Sequence, residues 1–184
     1  MFQLVIFCLL PLLISCVNYE DCGQADRSLV FRKLNFANQS LLIDGVNPIR
    51  AEVDFSLLDP VDNEVTLSAE LIRYFTILGY ETSVSLPCIN DVGSCSNNFC
   101  YMVQSYETLA RSFATQLKVP FDCLMKPGRY SGNVTYPVPI EGFRPLLSAL
   151  SWAASGKYEL TIRWTSNDIE IGCLAVTADV EINA

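Results

Sequence analysis

The stretch Ile49-Arg50-Ala51-Glu52-Val53-Asp54-Phe55-Ser56-Leu57 alternates apolar and polar residues without a break. Successive side chains of a strand point to opposite faces, so this run predicts one dry face and one wet face. Leu58-Asp59-Pro60-Val61-Asp62-Asn63 reads as a turn, and Val65, Leu67, Ala69 and Leu71 begin a second alternating run. The pattern returns further along the chain. Tyr158, Leu160, Ile162 and Trp164 alternate with Glu159, Thr161 and Arg163, and Ser166-Asn167-Asp168 marks a turn. Leu174, Val176, Ala178, Val180 and Ile182 then share one face of a further strand. Several antiparallel strands with one solvated face predict an all-β protein, a sandwich or a small barrel.

One segment changes period. Phe99, Met102, Val103, Tyr106, Leu109, Ala110, Phe113, Ala114 and Leu117 recur at three- and four-residue spacings. That stripe predicts one helix near residues 98–118, of at most about five turns. Asn97 or Asn98 is placed to cap its start, and Val119-Pro120 marks its end. The segment has too few charges to stand alone, so its apolar face must lie against a sheet or across an opening in it.

Residues Met1 to Ser15 are almost continuously apolar, too short a run for the ~20 residues that span a bilayer. The expectation is a signal peptide over residues 1–17, with Cys8 and Cys16 leaving with it. A single domain over residues 18–184 would follow, secreted or resident in the lysosomal lumen. Six cysteines remain: Cys22, Cys88, Cys95, Cys100, Cys123 and Cys173. An even count in an exported chain predicts disulfides, although six cysteines allow fifteen pairings. Asn38-Gln39-Ser40 and Asn133-Val134-Thr135 are glycosylation sequons, so Asn38 and Asn133 are expected on the surface. The net charge of −8, with no Lys/Arg cluster, argues against a nucleic-acid partner.

The chain has no histidine. That removes Ser-His-Asp and Cys-His nucleophile arrangements and any histidine-ligated zinc. Thiolate-bound zinc competes with disulfides for the same cysteines, and an oxidising route favours disulfides. Carboxylate pairing is the remaining route to hydrolysis, with Asp91, Glu107, Asp122 and Glu141 as candidates. Nothing in their spacing brings two of them together. The expectation is no enzymatic activity, no catalytic residue, no cofactor and no metal.

Three stretches carry a resemblance. They are Leu86-Pro87-Cys88-Ile89-Asn90-Asp91-Val92-Gly93-Ser94-Cys95, then Cys123-Leu124-Met125-Lys126-Pro127-Gly128-Arg129-Tyr130, then Ser151-Trp152 with Gly156-Lys157-Tyr158 and Gly172-Cys173. Together they resemble the MD-2-related lipid-recognition (ML) family, in its ganglioside GM2 activator branch. The resemblance implies an immunoglobulin-like two-sheet β-sandwich that opens, cup-like, onto an apolar cavity. It also implies the pairs Cys22–Cys173, Cys88–Cys95 and Cys100–Cys123. That branch has a fourth disulfide, for which this chain lacks the two cysteines; Val119-Pro120-Phe121-Asp122-Cys123 stands in that region.

Under this resemblance the inward residues are candidates to line a lipid cavity: Val53, Phe55, Leu57, Leu67, Leu71, Leu160, Ile162, Trp164, Leu174, Val176 and Val180. A filled core demands the same alternation, so periodicity alone leaves both readings open. Ile72-Arg73-Tyr74-Phe75-Thr76-Ile77-Leu78-Gly79-Tyr80 has aromatics and a single charge. It reads either as a strand turning near Gly79 to feed the next strand at Val84, or as a membrane-contact rim. In the rim reading Phe75, Ile77, Leu78 and Tyr80 dip into the membrane while Arg73 meets an anionic head group. Leu146, Leu147, Leu150 and Trp152 form a second rim candidate. The expected partners are a two-chain glycolipid or phospholipid, a transient membrane surface and a lysosomal hydrolase that the protein serves as activator. A sterol carrier of the same family and a secreted recognition module with a filled core are the alternatives.

Overall fold

The computed structural model describes residues 17–61, 63–121, 123–138, 140–142, 144–149 and 155–183. The expected leader up to Cys16 lies outside these residues, as do Asp122, Leu150 and Trp152. The chain runs β1 (Asn18–Glu20), β2 (Leu29–Phe36), β3 (Ser40–Ile43), β4 (Ile49–Leu57), β5 (Thr66–Ile77), β6 (Tyr80–Ser85) and β7 (Ser96–Asn98). Helices α1 (Phe99–Ser105) and α2 (Glu107–Leu117) follow, then β8 (Gly128–Tyr136), a 3-10 turn (Ile140–Gly142) and α3 (Arg144–Ala149). The long strands β9 (Gly156–Ser166) and β10 (Ile169–Ile182) complete it.

The larger sheet has the order β1-β10-β9-β5-β6, with β3 also paired to β10 and β7 to β5; the smaller is β2-β4-β8. Pairing is antiparallel except between β3 and β10. The sheets meet face to face as a sandwich. Phe31 of β2 approaches Trp164 of β9 with ring centroids 5.4 Å apart, and Phe55 joins them at 6.0 Å from Phe31. Around these rings Leu29, Leu57, Val61 and Val65 retain at most 7% of their surface. The sheets approach closely here: a Cβ on Gly172 would lie 2.7 Å from the Cβ of Leu29. This is the packed end.

The alternation of β4 sorts as its sequence dictates. Glu52 pairs with Lys33 and Asp54 with Arg129 on the wet face, at 2.7 and 2.6 Å, while Val53, Phe55 and Leu57 face the other sheet. Ser56 is the exception, a buried hydroxyl that accepts from Arg32 Nε at 3.0 Å.

The helix differs from its expectation. The single apolar stripe is broken at Tyr106 (φ −110°, ψ 41°), which ends α1 and starts α2. The break has a tertiary cause, because the two halves answer to different anchors. Asn98 caps α1 through Tyr101 N at 3.2 Å, and the Cys100–Cys123 bond fixes its first turn. The Tyr106 hydroxyl donates to the Asp91 carbonyl at 3.4 Å. Helix α2 instead follows β8. Gln116 Oε1 accepts from Thr135 N at 2.7 Å and its Nε2 donates to Thr135 O at 3.1 Å, so one side chain occupies the open edge of that strand. A Cβ on Gly132 would lie 3.2 Å from Leu117 Cδ2 and from Gln116 O, so the approach favours glycine there. Lys118 closes α2 in the left-handed region (φ 57°), just before Val119-Pro120.

The structure joins Cys22 to Cys173, Cys88 to Cys95 and Cys100 to Cys123, with Cα separations of 4.9, 4.9 and 5.1 Å. The first spans 151 residues and its Cys173 has no exposed surface. Cys173→Ala is therefore expected to cost about 2–5 kcal/mol or to block secretion. The measurement is the urea midpoint of the oxidised variant against the parent; an unchanged midpoint would show that this bond does not hold the fold.

Candidate functional site

All eleven candidate cavity residues lie on strand faces turned toward the opposite sheet. They divide by packing. Leu57, Phe55 and Trp164 belong to the packed end, and Leu71 and Val180 pack around Leu86 and Tyr158. The other six, Val53, Leu67, Leu160, Ile162, Leu174 and Val176, are half-buried and join neither cluster. Large apolar side chains in mid-strand and facing a second sheet should be almost fully buried when a sandwich is closed. Their residual surface is more than a closed sandwich would leave.

Small residues lie beside two of the six. Val53 is the central inward residue of β4, and its β8 neighbour is Gly132, where Leu117 of α2 takes the room a side chain would use. On the larger sheet the neighbour of Ile162 is Ala69. Part of the inward face is covered by a disulfide-bonded loop. Ile89 and Val92, inside the Cys88–Cys95 loop, pack with Leu86 on the inward face of β5 and β6.

The Ile72–Tyr80 segment takes the strand-and-turn form of its first sequence reading. It is the end of β5, a two-residue turn and the start of β6, which begins at Tyr80 directly after the turn. The tip is also apolar and exposed: Leu78 by 94%, Tyr80 by 80% and Ile77 by 54%. Leu78 and Gly79 both have positive φ (50° and 86°). Glycine suits that region, but a left-handed leucine costs roughly 1–2 kcal/mol, and Asn-Gly is the usual solution for such a turn. Phe75 is half-buried.

Arg73 does not sit with the exposed tip. It shares the inward face of β5 with Leu71 and Phe75, and its register partner on β9 is Tyr158. Its Nη2 donates to Ser155 O at 2.6 Å, and its guanidinium lies 6.0 Å from the centre of the Tyr158 ring. Burial pushes the Tyr158 hydroxyl above the usual tyrosine value, an effect partly offset by the charge and hydrogen bond of Arg73. In the second rim candidate, Leu147 is half-buried on α3, while Leu150 and Trp152 fall outside the described residues.

Sequence reasoning missed Val46, which is 78% exposed in the β3–β4 loop at the same end of the strands as the hairpin tip. The available signal was an apolar residue set among turn formers, Asp44-Gly45-Val46-Asn47-Pro48. Asn38 and Asn133 are both exposed.

Two of the carboxylate candidates, Asp91 and Glu107, have other partners. Asp91 accepts from Asn97 Nδ2 at 3.1 Å and from the Tyr101 hydroxyl at 3.4 Å, so it braces the disulfide loop against α1. Glu107 pairs with Arg111 along α2, and Glu141 is exposed on the 3-10 turn. Among the described residues no group of three or more His, Cys, Asp and Glu side chains is placed to hold a metal ion, and no helix is long and apolar enough to cross a membrane.

No known family profile matches the chain, and no curated protein does. Among solved structures it is similar to a Niemann-Pick type C2 protein from Japanese carpenter ant, at 14% identity over 89% of this chain and 99% of that one (TM-score 0.42). It is also similar to the alkylpurine DNA glycosylase AlkC of Pseudomonas fluorescens, bound to DNA containing an abasic site analog, at 8% identity over 84% of this chain and 31% of that one (TM-score 0.29). A third is the sporulation control protein Spo0M of Bacillus subtilis, at 7% identity over 93% of this chain and 51% of that one (TM-score 0.29). Likeness at this level assigns no function.

Two surface carboxylates set an acid response. The hydrogen bond from Arg129 holds Asp54 below the usual carboxylate value, and the backbone N–H groups of Asn47 and Val46 do the same for Asp44. A lowered carboxylate stabilises the fold fully above its unfolded value and loses that contribution as pH falls through the folded value. Asp54→Asn should therefore lower the thermal midpoint slightly at pH 7, by the small amount usual for a surface pair, with the gap closing below about pH 4. A gap that widens on acidification would reverse this assignment.

Proposed function

We propose that the protein is a non-enzymatic lipid-binding and transfer protein of the ML type, working in a secreted or lysosomal setting. In this reading it lifts a two-chain glycosphingolipid or phospholipid from a membrane and carries or presents it, in the latter case to a glycosidase. The observation that carries the proposal is the band of half-buried apolar residues, Val53, Leu160, Ile162, Leu174 and Val176, facing the opposite sheet. Acyl chains there would be stabilised by ~0.8 kcal/mol per buried CH₂. The exposed Ile77-Leu78-Gly79-Tyr80 tip supports contact with the membrane that supplies the lipid. The motif resemblance, the residual apolar surface and the absence of histidine all favour carriage over catalysis.

The deciding experiment is native mass spectrometry with lipid extraction on protein purified from a secreting host. A co-purifying two-chain lipid is expected, since burial of its chains strongly favours the loaded state. A lipid-free protein that moves no lipid from liposomes would overturn the reading in favour of protein recognition, and sterol alone would make it a sterol carrier.

The hairpin tip supplies a second test. Leu78→Asn relieves the left-handed leucine, so it should stabilise the fold by about 1 kcal/mol while weakening liposome binding severalfold. Thermal melts and liposome co-sedimentation read the two effects separately. Unchanged liposome binding would remove the tip from the membrane contact.

A further inference from the structure

We infer that Arg73 is the head-group anchor of the inter-sheet site, so that the bound amphiphile carries an anionic head: a phosphate, sulfate or carboxylate. The inference rests on the lipid-binding reading above and narrows its ligand class.

Position carries it. Among the described strand positions that face the inter-sheet space, Arg73 is the only charged one. A cation on the inward face meets a desolvation cost that the outward face of the same strand would not impose. Its place is also specific. It lies two residues beyond Leu71 on β5 and opposite Tyr158, whereas the half-buried band on β9 begins two residues further on, at Leu160. Same-face neighbours on a strand are about 7 Å apart. Tails lying along Leu160, Ile162, Leu174 and Val176 would therefore put the head at the level of Arg73, on the side of the hairpin.

The guanidinium is held in one plane. Ser155 O accepts from Nη2 at 2.6 Å, and Tyr158 contributes its ring and a hydrogen bond. Gly156 leaves it room, since a Cβ there would lie 3.1 Å from Nη2. A guanidinium receives an oxyanion in a forked geometry that lysine lacks. These contacts turn the side chain toward β9 and away from the exposed tip. The charge therefore serves the inside of the site and not the membrane surface.

The test is a transfer assay with delipidated full-length protein. Phosphatidylcholine vesicles are doped with fluorescent lipids of matched chains that bear choline, phosphate, sulfate or carboxylate heads. Wild type should extract at least one anionic probe at least tenfold better than the choline probe. Arg73→Gln should lose that preference, read as the ratio of anionic to choline transfer within one preparation. Arg73→Lys keeps the charge without the fork and should retain part of the preference, which separates recognition from a folding defect in the glutamine variant. Equal extraction of all probes by wild type, or an unaltered preference in Arg73→Gln, would overturn the inference and leave the lipid site standing. No transfer of any probe would overturn the lipid site itself. Binding of inorganic phosphate that Arg73→Gln abolishes, without lipid transfer, would assign Arg73 to a free anion instead of a head group.

Discussion

Cys173 is fully buried, and its bond to Cys22 ties the segment just after β1 to the early part of β10. The geometry of the larger sheet depends on that tie. Strand β10 pairs along one side with β9 and along the other with both β1 and β3, so it organises strands from both halves of the chain. Closing so long a loop removes much of the unfolded chain's freedom. It also fixes the end where Gly172 brings the sheets together over Leu29. Once that end is fixed, the sandwich need not be filled along its whole length to hold together.

A space between sheets forfeits packing attraction and so opposes folding. Three features offset it. The ring cluster of Phe31, Phe55, Trp164 and Tyr130 concentrates burial at one end. The Cys88–Cys95 loop folds Ile89 and Val92 over the β5–β6 side. On the other sheet, α2 occupies the β8 edge through Gln116 and settles Leu117 over Gly132. Each braces the periphery. Gly132 admits the helix on the face it shares with Val53, so α2 covers part of that strand pair.

Much of this was legible in the sequence, for a physical reason. The two-residue period of a strand is absolute, so the alternation of β4, β5, β9 and β10 assigned every candidate cavity residue to the correct face. The same parity placed Arg73 inward, two residues after Leu71. The aromatic content of Ile72–Tyr80 obscured this by suggesting a surface rim for the whole segment. What periodicity could not reveal was set by tertiary contact. The break at Tyr106 arises because α1 is held by Asn98 and Cys123 while α2 follows β8, and residues 99–117 alone carry no sign of that conflict. The parallel seat of β3 beside β10 was equally hidden, since Leu41-Leu42-Ile43 does not alternate. Nor does alternation distinguish a filled core from a lined space. Only the residual surface of residues such as Val176 does that, and it is a property of both sheets together.

Local rules are broken most clearly along one hairpin. Leu78 occupies a left-handed position that asparagine or glycine would fill more comfortably, and it does so fully exposed. Five residues earlier, Arg73 places a charge on a face otherwise apolar. A sequence optimised only for stability would exchange both, the first for asparagine and the second for an aliphatic side chain. Departures from local consistency gather where function competes with folding. The two here are complementary in chemistry: an apolar tip suited to entering a bilayer, and a guanidinium below it suited to an oxyanion. An amphiphile leaving a membrane presents those features in that order, with its surroundings first greasy and then charged as the head follows the tails inward. The strain at Leu78 and the inward charge at Arg73 are thus read most economically as two parts of one route into the space between the sheets.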